Sequence, residues 1–487
     1  MKKLFGTDGI RGVANSYPMT PSMAMNIGIA VANYVKQDGY GAVIIGKDTR
    51  ISGDMLESAL AAGITSQGVD VLTVGVIPTP AVAFLLSNFN QININQDGLQ
   101  QNSDKKDCDN QNEKSEIDSR IEKIGAGIVI SASHNPWQDN GIKIFKKGGW
   151  KLSDDEEESI ESMIFSLENQ YQKNSTKISL TGRIYPIYDA KKRYCDFLKQ
   201  GFYSTINKQL KLVVDCSNGA SSVVASMLFG SSDYFDNFDA TFIFNQPDGK
   251  NINEKCGSQH TETLSRKVLE LGADIGLAFD GDADRLIAID ETGAVITGDR
   301  ILAICASYAK SKGTLENNRV VSTVMSNIGL ARTLESLGIE HLITGVGDRE
   351  VLQKMIESGA VMGGEDSGHM IFSQYHTTGD GLLTALRLLE VMVGSCKPLS
   401  ELASIMKVYP QILMNVEVDV SRPDFMAVAS IADEIKAVES ELGADGRVLV
   451  RYSGTQPLLR VMVEGPDHAK TKECCERICS KIREYKL

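Results

Sequence analysis

Three carboxylates alternate with small residues in the segment DGDADR, at Asp280, Asp282 and Asp284. Apolar strand patterns flank this segment on both sides. Alternating carboxylates around a glycine can fold around one hard divalent cation, and a ligand set made only of oxygen favours Mg2+ or Ca2+ over zinc. An EF-hand is excluded because Arg285 occupies the loop position that requires glycine. A solvated acidic turn is disfavoured because three carboxylates between buried strands would repel one another without a counter-ion.

A serine, an imidazole and an amide come together in the loop SASHNP, which follows an apolar strand pattern at residues 127–130. Open α/β sheets bind their ligands at the carboxyl ends of their strands. The hydroxyl of Ser133 could therefore act as a covalent nucleophile or phosphate carrier, provided that a base, a cation or a metal activates it. An Asn-Pro turn with two capping serines explains these six residues equally well.

A third polar loop, at residues 363–369, carries a carboxylate, a hydroxyl and an imidazole at Glu365, Ser367 and His369. This mixture of acceptors and donors suits the vicinal hydroxyls of a sugar. The alternative is a glycine-rich turn whose polar side chains are incidental.

A fourth loop follows a strand pattern at residues 447–450 and contains Arg451, Ser453, Gly454 and Thr455, with Arg460 shortly after it. Arginine, hydroxyls and turn amides together can bind a phosphate that does not react. Surface arginines beside a hairpin are the alternative interpretation.

The elements that must position these loops alternate between strand and helix patterns, beginning with a helix at residues 20–35, a strand at 42–45, a helix at 56–65 and a strand at 69–74. This alternation predicts mostly parallel sheets covered on both faces. From Tyr409 onward the strands are shorter and end in a terminal helix, which predicts a smaller α+β domain.

Composition narrows the class of protein. A chain of 487 residues is too long for a single core, and its net charge of -13 argues against nucleic acid as a partner. No apolar run reaches the roughly 18 to 20 residues that span a bilayer, and the first residues lack the apolar core of a secretory signal. We therefore expect a cytoplasmic protein. In that compartment the nine dispersed cysteines are expected to be reduced thiols. The polar segment 87–123 predicts a disordered surface insertion.

The sequence SASHNPWQDNGIKIF closely resembles the phosphoserine loop of the α-D-phosphohexomutases. The segment FGTDGIRG at residues 5–12 narrows the match to the phosphoglucosamine mutase branch of that family. Further family motifs recur in the right order at Asp280, Glu365 and Arg451, so the resemblance covers nearly the whole chain.

The resemblance implies an α/β fold with the four-domain phosphohexomutase architecture, in which three similar α/β domains and a smaller C-terminal α+β domain surround a central cleft. The domains are expected at residues 1–185, 186–296, 297–407 and 408–487. In chain order they would carry the serine loop, the metal-binding loop, the sugar-binding loop and the phosphate-binding loop.

The same resemblance implies roles around the serine. Ser133 would carry the phosphoryl group, and its oxygen would complete a Mg2+ site with the three aspartates. Arg11 and Lys143 are implied to lie close to the phosphoserine, where Lys143 stabilises charge or shuttles a proton. A solvated lysine on a strand is the alternative. Arg285 is a candidate for neutralising charge on the transferring group.

For the sugar, the resemblance implies that Glu365 and Ser367 bind its hydroxyls. His369 either assists proton transfer or is a structural histidine. The loop at residues 451–455 together with Arg460 would bind the phosphate that is not transferred.

The implied reaction converts glucosamine 6-phosphate to glucosamine 1-phosphate through a phosphoserine enzyme and a bisphosphate intermediate. A phosphomannomutase or phosphoglucomutase is one alternative, and a metal-dependent sugar phosphatase is another. We expect a hexosamine phosphate substrate and no membrane or nucleic-acid partner, with a homodimer left open.

One residue departs from the glucosamine branch, which usually has glutamine where this chain has Asp366. A carboxylate beside Glu365 could attract the 2-ammonium group of glucosamine. It could equally point outward as a solvated charge, because alternate residues of an extended loop face opposite ways.

Overall fold

The computed structural model of the chain describes residues 4–6, 8–88, 123–168, 181–204, 209–419, 423–453 and 457–485. The chain forms two compact units: unit 1 consists of Met1–Val324 and Leu342–Ala403, and unit 2 of Met325–His341 and Ser404–Leu487. Of the predicted insertion at 87–123, residues 89–122 lie outside the described part of the chain, and Ser87 belongs to a helix.

The elements expected between residues 20 and 74 are present in the predicted order of helix, strand, helix and strand. The strands are β1 Phe5–Gly6, β2 Gly9–Val13, β3 Ala42–Lys47, β4 Asp70–Val76, β5 Ile124–Ile130, β6 Asp139–Lys146, β7 Trp150–Lys151, β8 Ile184–Pro186, β9 Leu210–Asp215, β10 Phe238–Ile243, β11 Ile275–Phe279, β12 Leu286–Asp290, β13 Val295–Ile296, β14 Arg319–Thr323, β15 Glu340–Thr344, β16 Met362–Gly364, β17 Met370–Phe372, β18 Gln411–Glu417, β19 Arg447–Tyr452 and β20 Leu458–Glu464. The helices are α1 Pro21–Gln37, α2 Gly53–Ser66, α3 Thr79–Asn88, α4 Asp154–Glu168, α5 Ala190–Gln200, α6 Ser221–Gly230, α7 Glu262–Leu271, α8 Gly298–Ser311, α9 Ile328–Ser336, α10 Asp348–Ser358, α11 Gly381–Ser395, α12 Leu399–Ala403, α13 Ala429–Leu442 and α14 His468–Tyr485.

Local side chains explain where two helices begin. The Thr20 hydroxyl accepts the N–H of Met23 at 3.2 Å and caps α1. At α4, the Ser153 hydroxyl accepts the N–H of Glu156 while the Glu156 carboxylate accepts the N–H of Ser153. This reciprocal pair is a capping box, and it satisfies backbone donors that a helix start leaves without partners.

The first sheet of unit 1 has the order β1-β2-β6-β5-β3-β4-β8, with β7 beside β6. Strand β3 is parallel to β4 and β5, but β6 runs antiparallel to β5 and β2. Side chains of β3 and β5 pack with α1, α2 and α4 in one continuous apolar core.

Two further sheets of the chain have the orders β10-β9-β11-β12-β13 and β15-β14-β16-β17. In each of them a parallel pair is followed by an antiparallel hairpin, β11 to β12 and β16 to β17. The expectation of mostly parallel sheets was therefore wrong in detail, because the sheets are mixed. A loop of a few residues is too short for the crossover that a parallel return requires.

Unit 2 contains the antiparallel sheet β18-β20-β19 and a core of apolar and cysteine side chains from α13, α14 and the sheet. The segment Met325–His341 belongs to this unit. Within it, the Asn327 amide donates to the carbonyl of Tyr409 at 2.8 Å, and the N–H of Ile328 donates to Glu464 at 3.1 Å.

The fold class is as expected: α/β sheets precede a smaller C-terminal α+β unit. The four domain boundaries remain predictions. The cysteines in the described part of the chain are free thiols, as expected. Among the described helices, none has the length and apolar character needed to cross a membrane.

A buried carboxylate in the second sheet makes a pH prediction possible. Asp215 is fully buried and accepts the N–H groups of Ser217 and Gly257 at 2.8 and 2.9 Å. Burial raises the pKa of Asp215 to about 7, because it outweighs these two hydrogen bonds. A raised acid pKa favours folding at low pH, and that contribution is lost as the pH rises from the unfolded value near 4 through about 7.

We therefore expect the melting temperature of the parent chain, relative to that of Asp215→Asn, to fall between about pH 4 and 7 and then to stay level. The rise in pKa corresponds to roughly 4 kcal/mol when the carboxyl is fully ionised. Thermal denaturation of both proteins in matched buffers measures the difference. A difference that does not change with pH would show that Asp215 titrates at an ordinary value.

Candidate functional site

The three predicted metal ligands lie in the β11–β12 turn and come together as expected. One oxygen from each of Asp280, Asp282 and Asp284 lies within 4.8 Å of the others, and all three residues are buried. The turn contains Ala283 in the left-handed region at φ 57°. In an extended chain, alternate residues lie on one face but roughly 7 Å apart, and this sharp turn brings the three carboxylates closer together than that.

Each carboxylate of this triad has at least one oxygen engaged by the protein, and Asp280 has both, since its Oδ1 accepts the N–H of Arg285 at 3.2 Å. Asp280 Oδ2 accepts the Ser133 hydroxyl at 2.6 Å. Asp282 Oδ2 accepts Thr79 Oγ1 at 2.6 Å and Lys143 Nζ at 2.8 Å. Asp284 Oδ2 faces Lys143 Nζ at 3.5 Å. These contacts fix the orientation of the carboxylates. In metalloproteins, residues that hydrogen-bond to the metal ligands orient those ligands in the same way.

In two of the aspartates, the other carboxylate oxygen supports the binding of a cation. Asp282 Oδ1 and Asp284 Oδ1 are buried without a hydrogen-bond partner in the described structure. Burial and the repulsion of Asp284 and Asp282 raise the pKa of Asp280 well above its usual value. A divalent cation would satisfy the free oxygens and remove the repulsion, so the residues present fit a metal site.

Ser133 follows β5 and points its hydroxyl into the triad. Its backbone is in the left-handed region at φ 54°, which is uncommon for serine. The Ser131 hydroxyl accepts the N–H of Ser133 at 2.9 Å. A serine in a polar loop would ordinarily be exposed to solvent, but Ser133 is only 1% exposed. The loop is enclosed because the β11–β12 turn packs on it: a Cβ on Gly281 would lie 2.5 Å from the Ser133 carbonyl oxygen.

His134 is not arranged as a base for the serine. Its Nδ1 lies 3.2 Å from Arg285 Nη1 and 3.5 Å from Ser133 Oγ. The guanidinium can only donate, so it makes Nδ1 an acceptor. Burial, followed by the charges of Arg285 and Arg11, lowers the pKa of His134 to about 4. The imidazole is therefore neutral at physiological pH.

Lys143 is the central cation of the site. Strand β6 brings its ammonium to 2.8 Å from Asp282 and 2.9 Å from Asp8, and the side chain is 3% exposed. Burial alone would lower the pKa of Lys143, but Asp282, Asp8 and Asp284 raise it well above the usual value. The alternative of a solvated lysine is excluded by this burial.

Arg11 on β2 also lies at the serine loop. Its Nη1 donates to the carbonyl of Ala132 at 3.5 Å, and its Nη2 pairs with Asp8. Arg11 Nε is buried and has no partner among the described residues. A guanidinium with free donors beside Ser133 has the chemistry to bind an anion there.

His369 joins the site through the β16–β17 turn. Its Nδ1 lies 3.6 Å from Asp284, and its Nε2 accepts the N–H of Gly379 at 3.2 Å. Burial lowers the pKa of His369, but Asp284 and Asp348 outweigh burial and raise it. Protonation of Nε2 would break the Gly379 hydrogen bond, so this bond favours the neutral ring with its proton on Nδ1. The close packing needs glycine: a Cβ on Gly379 would lie 2.3 Å from Nε2.

The sugar loop carries Glu365 and Ser367 between β16 and β17. Glu365 Oε1 accepts the N–H of Gly347 at 3.1 Å, and Ser367 Oγ lies 3.5 Å from Glu365 Oε2. Asp366 has a different partner: its Oδ1 accepts the N–H of Asp299 in the first turn of α8 at 3.3 Å. A carboxylate at a helix start stabilises the helix, so Asp366 has a structural function.

In unit 2, the predicted phosphate loop is described in part. Arg451 and Arg460 are directly opposite each other on β19 and β20. The pKa of Arg451 is lowered by burial and by the charge of Arg460. In the described part of the chain neither guanidinium pairs with a carboxylate, and like charges in such a pair repel unless an anion binds them. Gly454 and Thr455 lie outside the described residues.

Sequence reasoning missed three residues that complete the charge balance. Asp8 pairs with Lys143 and with Lys151, and Lys151 also pairs with Asp348 at the start of α10. Asp8 belongs to the FGTDGIRG motif and could have been found there. Lys151 and Asp348 are 197 positions apart in the chain, and no local pattern announces their pairing.

Comparison with known proteins agrees with this geometry. The chain matches four models of the phosphoglucomutase/phosphomannomutase family: α/β/α domain I over residues 2–171, α/β/α domain II over 192–293, α/β/α domain III over 297–409, and the C-terminal domain over 413–481. A curated relative, the phosphoglucosamine mutase of Desulforapulum autotrophicum, is 56% identical over 100% of both chains.

Two solved structures are similar in fold. A phosphoglucomutase/phosphomannomutase family protein from Burkholderia thailandensis is 25% identical, with a TM-score of 0.76 over 99% of this chain and 97% of that one. Aspergillus fumigatus N-acetylphosphoglucosamine mutase, solved in complex with GlcNAc-6P and magnesium, is 16% identical, with a TM-score of 0.68 over 100% of this chain and 96% of that one. The chain belongs to the phosphoglucomutase/phosphomannomutase family.

Proposed function

We propose that this chain is a phosphoglucosamine mutase that interconverts glucosamine 6-phosphate and glucosamine 1-phosphate, with Ser133 as the phosphoryl carrier. The observation that carries the proposal is the buried contact of 2.6 Å between Ser133 Oγ and the aspartate triad. A hydroxyl held against a cation site beside Lys143 is arranged for phosphoryl transfer, which depends on positioning and on neutralisation of charge.

The reaction proceeds in two transfers. In the first, the bond between phosphorus and Ser133 Oγ breaks while phosphorus bonds to the free hydroxyl oxygen of the sugar phosphate, and the hydroxyl proton ends on Oγ. In the second, Ser133 Oγ takes the other phosphoryl group of the bisphosphate, and its proton ends on the sugar oxygen released. One serine therefore serves both ends of the sugar, which requires the bisphosphate to turn over in the site.

The metal in this proposal is Mg2+, held by Asp280, Asp282, Asp284 and an oxygen on Ser133. Carboxylate and phosphate oxygens are the ligands that Mg2+ prefers. When bound, the ion neutralises negative charge on the phosphoryl group. The free second oxygens of Asp282 and Asp284 support this assignment.

The cations around Ser133 stabilise the same charge. Of the two functions predicted for Lys143, the raised pKa supports charge stabilisation over proton shuttling, because the ammonium does not release its proton readily. Arg11 and Arg285 are proposed to bind phosphoryl oxygens. His369 is proposed to hold a proton on Nδ1 beside Asp284.

Substrate binding is proposed for two sets of residues. Glu365 and Ser367 are proposed to bind sugar hydroxyls, and Arg451, Ser453, Gly454, Thr455 and Arg460 to bind the second phosphate. The unpaired guanidiniums of Arg451 and Arg460 support this assignment. The cytoplasmic location and a homodimeric assembly remain predictions.

Replacement of Ser133 by alanine tests the carrier. We expect Ser133→Ala to lose mutase activity and to lack the phosphoryl mass that the parent chain gains with sugar bisphosphate, because no hydroxyl remains to accept it. Circular dichroism and melting temperature verify that the variant is folded. Substantial mutase activity in Ser133→Ala would exclude this residue as the carrier. Release of free phosphate in step with turnover by the parent would instead favour a phosphatase.

Replacement of Asp282 by asparagine tests the metal. We expect Asp282→Asn to bind Mg2+ at least about tenfold more weakly in calorimetry, because one anionic ligand is lost. Asp290→Asn is a matched control, since Asp290 is also buried but accepts hydrogen bonds from Thr292 and Ala294 in the next turn. Equal Mg2+ affinity in the parent and in Asp282→Asn would refute the assignment.

Replacement of Asp366 by glutamine tests the choice of sugar. Because Asp366 accepts an N–H at the start of α8, we expect Asp366→Gln to change kcat/KM for glucosamine 1-phosphate, glucose 1-phosphate and mannose 1-phosphate by similar factors. A loss of about fivefold or more for the amino sugar alone would indicate a contact with its ammonium group. Preference of the parent for mannose or glucose would overturn the glucosamine assignment.

A further inference from the structure

The buried residue Arg50, which follows β3, binds the backbone of the serine loop. Its Nη2 donates to the carbonyls of Ser133 and Asn135 at 2.9 and 2.8 Å. Its Nη1 donates to the carbonyls of Pro136 and Asp139. All the N–H groups of the guanidinium are used, since Nε donates to Asp48 at 2.9 Å.

Asp48 connects the same arginine to the other side of Ser133. Its Oδ2 accepts the hydroxyl of Ser131 at 2.6 Å, and the Ser131 hydroxyl accepts the N–H of Ser133 at 2.9 Å. Both backbone groups of Ser133 are thus tied, directly or through Ser131, to the Arg50–Asp48 pair. The two side chains of that pair are 0% exposed, so water does not compete for these hydrogen bonds.

A second hydrogen-bond donor to the serine loop lies in the segment between β10 and β11. Asn253 Nδ2 donates to the carbonyl oxygens of Ser133 and Asn135 at 2.9 and 3.0 Å. The Ser133 carbonyl therefore has two donors, Arg50 and Asn253, and Gly281 packs against it. Asn253 itself is left-handed at φ 59°, a conformation that asparagine tolerates well.

This convergence matters because Ser133 is held in a sparsely populated conformation. Its φ of 54° sets the direction of the Cα–Cβ bond and hence of the hydroxyl that meets Asp280. A non-glycine residue keeps such a φ only when its surroundings impose it. If the backbone relaxed to negative φ, the hydroxyl would turn away from the triad.

We propose that Arg50 and Asn253 are positioning residues, which hold the Ser133 backbone in the left-handed conformation and so fix the direction of Oγ during both phosphoryl transfers. The inference rests on the proposed function, because it assumes that Ser133 carries the phosphoryl group. Neither side chain donates to a triad carboxylate among the described contacts, and both donate to the backbone of the serine loop.

Two variants remove the donors with little change in shape, and Arg50→Lys also keeps the charge, whereas Asn253→Asp and its control each add one negative charge. Arg50→Lys retains the positive charge beside Asp48, but a single ammonium cannot reach carbonyls on both sides of the loop. Asn253→Asp retains the size of the side chain and its tolerance of left-handed backbone, but it replaces the amide donor by an acceptor.

Matched controls separate positioning from general stability. Arg387→Lys removes another buried guanidinium that donates to a carbonyl, that of Gly201. Asn317→Asp changes another left-handed asparagine whose amide donates to a carbonyl, that of Gly359, at 2.7 Å. Neither control contacts the serine loop.

The experiment is a single-turnover measurement. Each protein with Mg2+ is phosphorylated by glucosamine 1,6-bisphosphate and mixed with saturating glucosamine 6-phosphate, and the loss of the phosphoryl mass is followed by intact-protein mass spectrometry. The first-order rate constant does not depend on the fraction of protein that is folded. A purely structural change would lower the melting temperature without changing this constant.

We expect Arg50→Lys and Asn253→Asp to transfer the phosphoryl group about ten- to a hundredfold more slowly than the parent, with KM for the sugar phosphate nearly unchanged. The controls should transfer at the parental rate. Parental rates in Asn253→Asp, or in both variants, would overturn the proposal even if both were less stable. If Arg50→Lys does not fold, Asn253→Asp alone is the test. A parent chain that never gains a phosphoryl group on Ser133 would overturn the proposed function, and with it this inference.

Discussion

The rest of the site depends on the ion pairs that the buried ammonium of Lys143 makes with carboxylates. Five carboxylates, Asp8, Asp280, Asp282, Asp284 and Asp348, lie in one connected network, and Lys143 contacts three of them. Buried charges are stable only when they are paired and hydrogen-bonded. Burial alone would raise the pKa of Asp284, but Lys143, together with His369 and Arg285, holds it well below its usual value.

The same network explains which carboxylate oxygens of the triad lack a hydrogen-bond partner. Thr79 and Lys143 take one oxygen of Asp282, and Ser133 takes one oxygen of Asp280. The remaining oxygens of Asp282 and Asp284 are buried without a hydrogen-bond partner in the described part of the chain, although Arg285 Nε lies 3.7 Å from that of Asp284. The hydrogen bonds of the protein thus orient the carboxylates, and a bound metal ion would balance the negative charge that remains.

One structural device recurs at the three loops of unit 1. The serine loop, the aspartate turn and the sugar loop each connect a strand that has a parallel neighbour to an antiparallel return strand. A short hairpin turn confines its residues more tightly than a long crossover, because both of its ends are fixed in the same sheet. Such turns present reactive side chains with little freedom, which suits a reaction governed by positioning.

By itself, the sequence determined the local features of this protein. The alternation of carboxylates in DGDADR, the apolar strand before Ser133 and the helix start at Thr20 all act over a few residues. Their patterns therefore predicted a metal site, a serine loop and the beginning of a helix. The family motifs extended this to the order of the domains. Strand β12 was visible as an apolar pattern directly after the aspartates, but its antiparallel direction was not.

Only the tertiary structure decided which distant residues meet. The pairing of Lys151 with Asp348, the donation from Arg50 to the serine loop and the contact of Asp366 with α8 join segments that no local pattern relates. Burial was equally hidden, since Ser133 stands in a polar loop yet is enclosed by the β11–β12 turn. The physical reason is that short-range patterns record what a segment prefers, whereas charge pairing and solvent exclusion depend on strand order and packing across the whole chain.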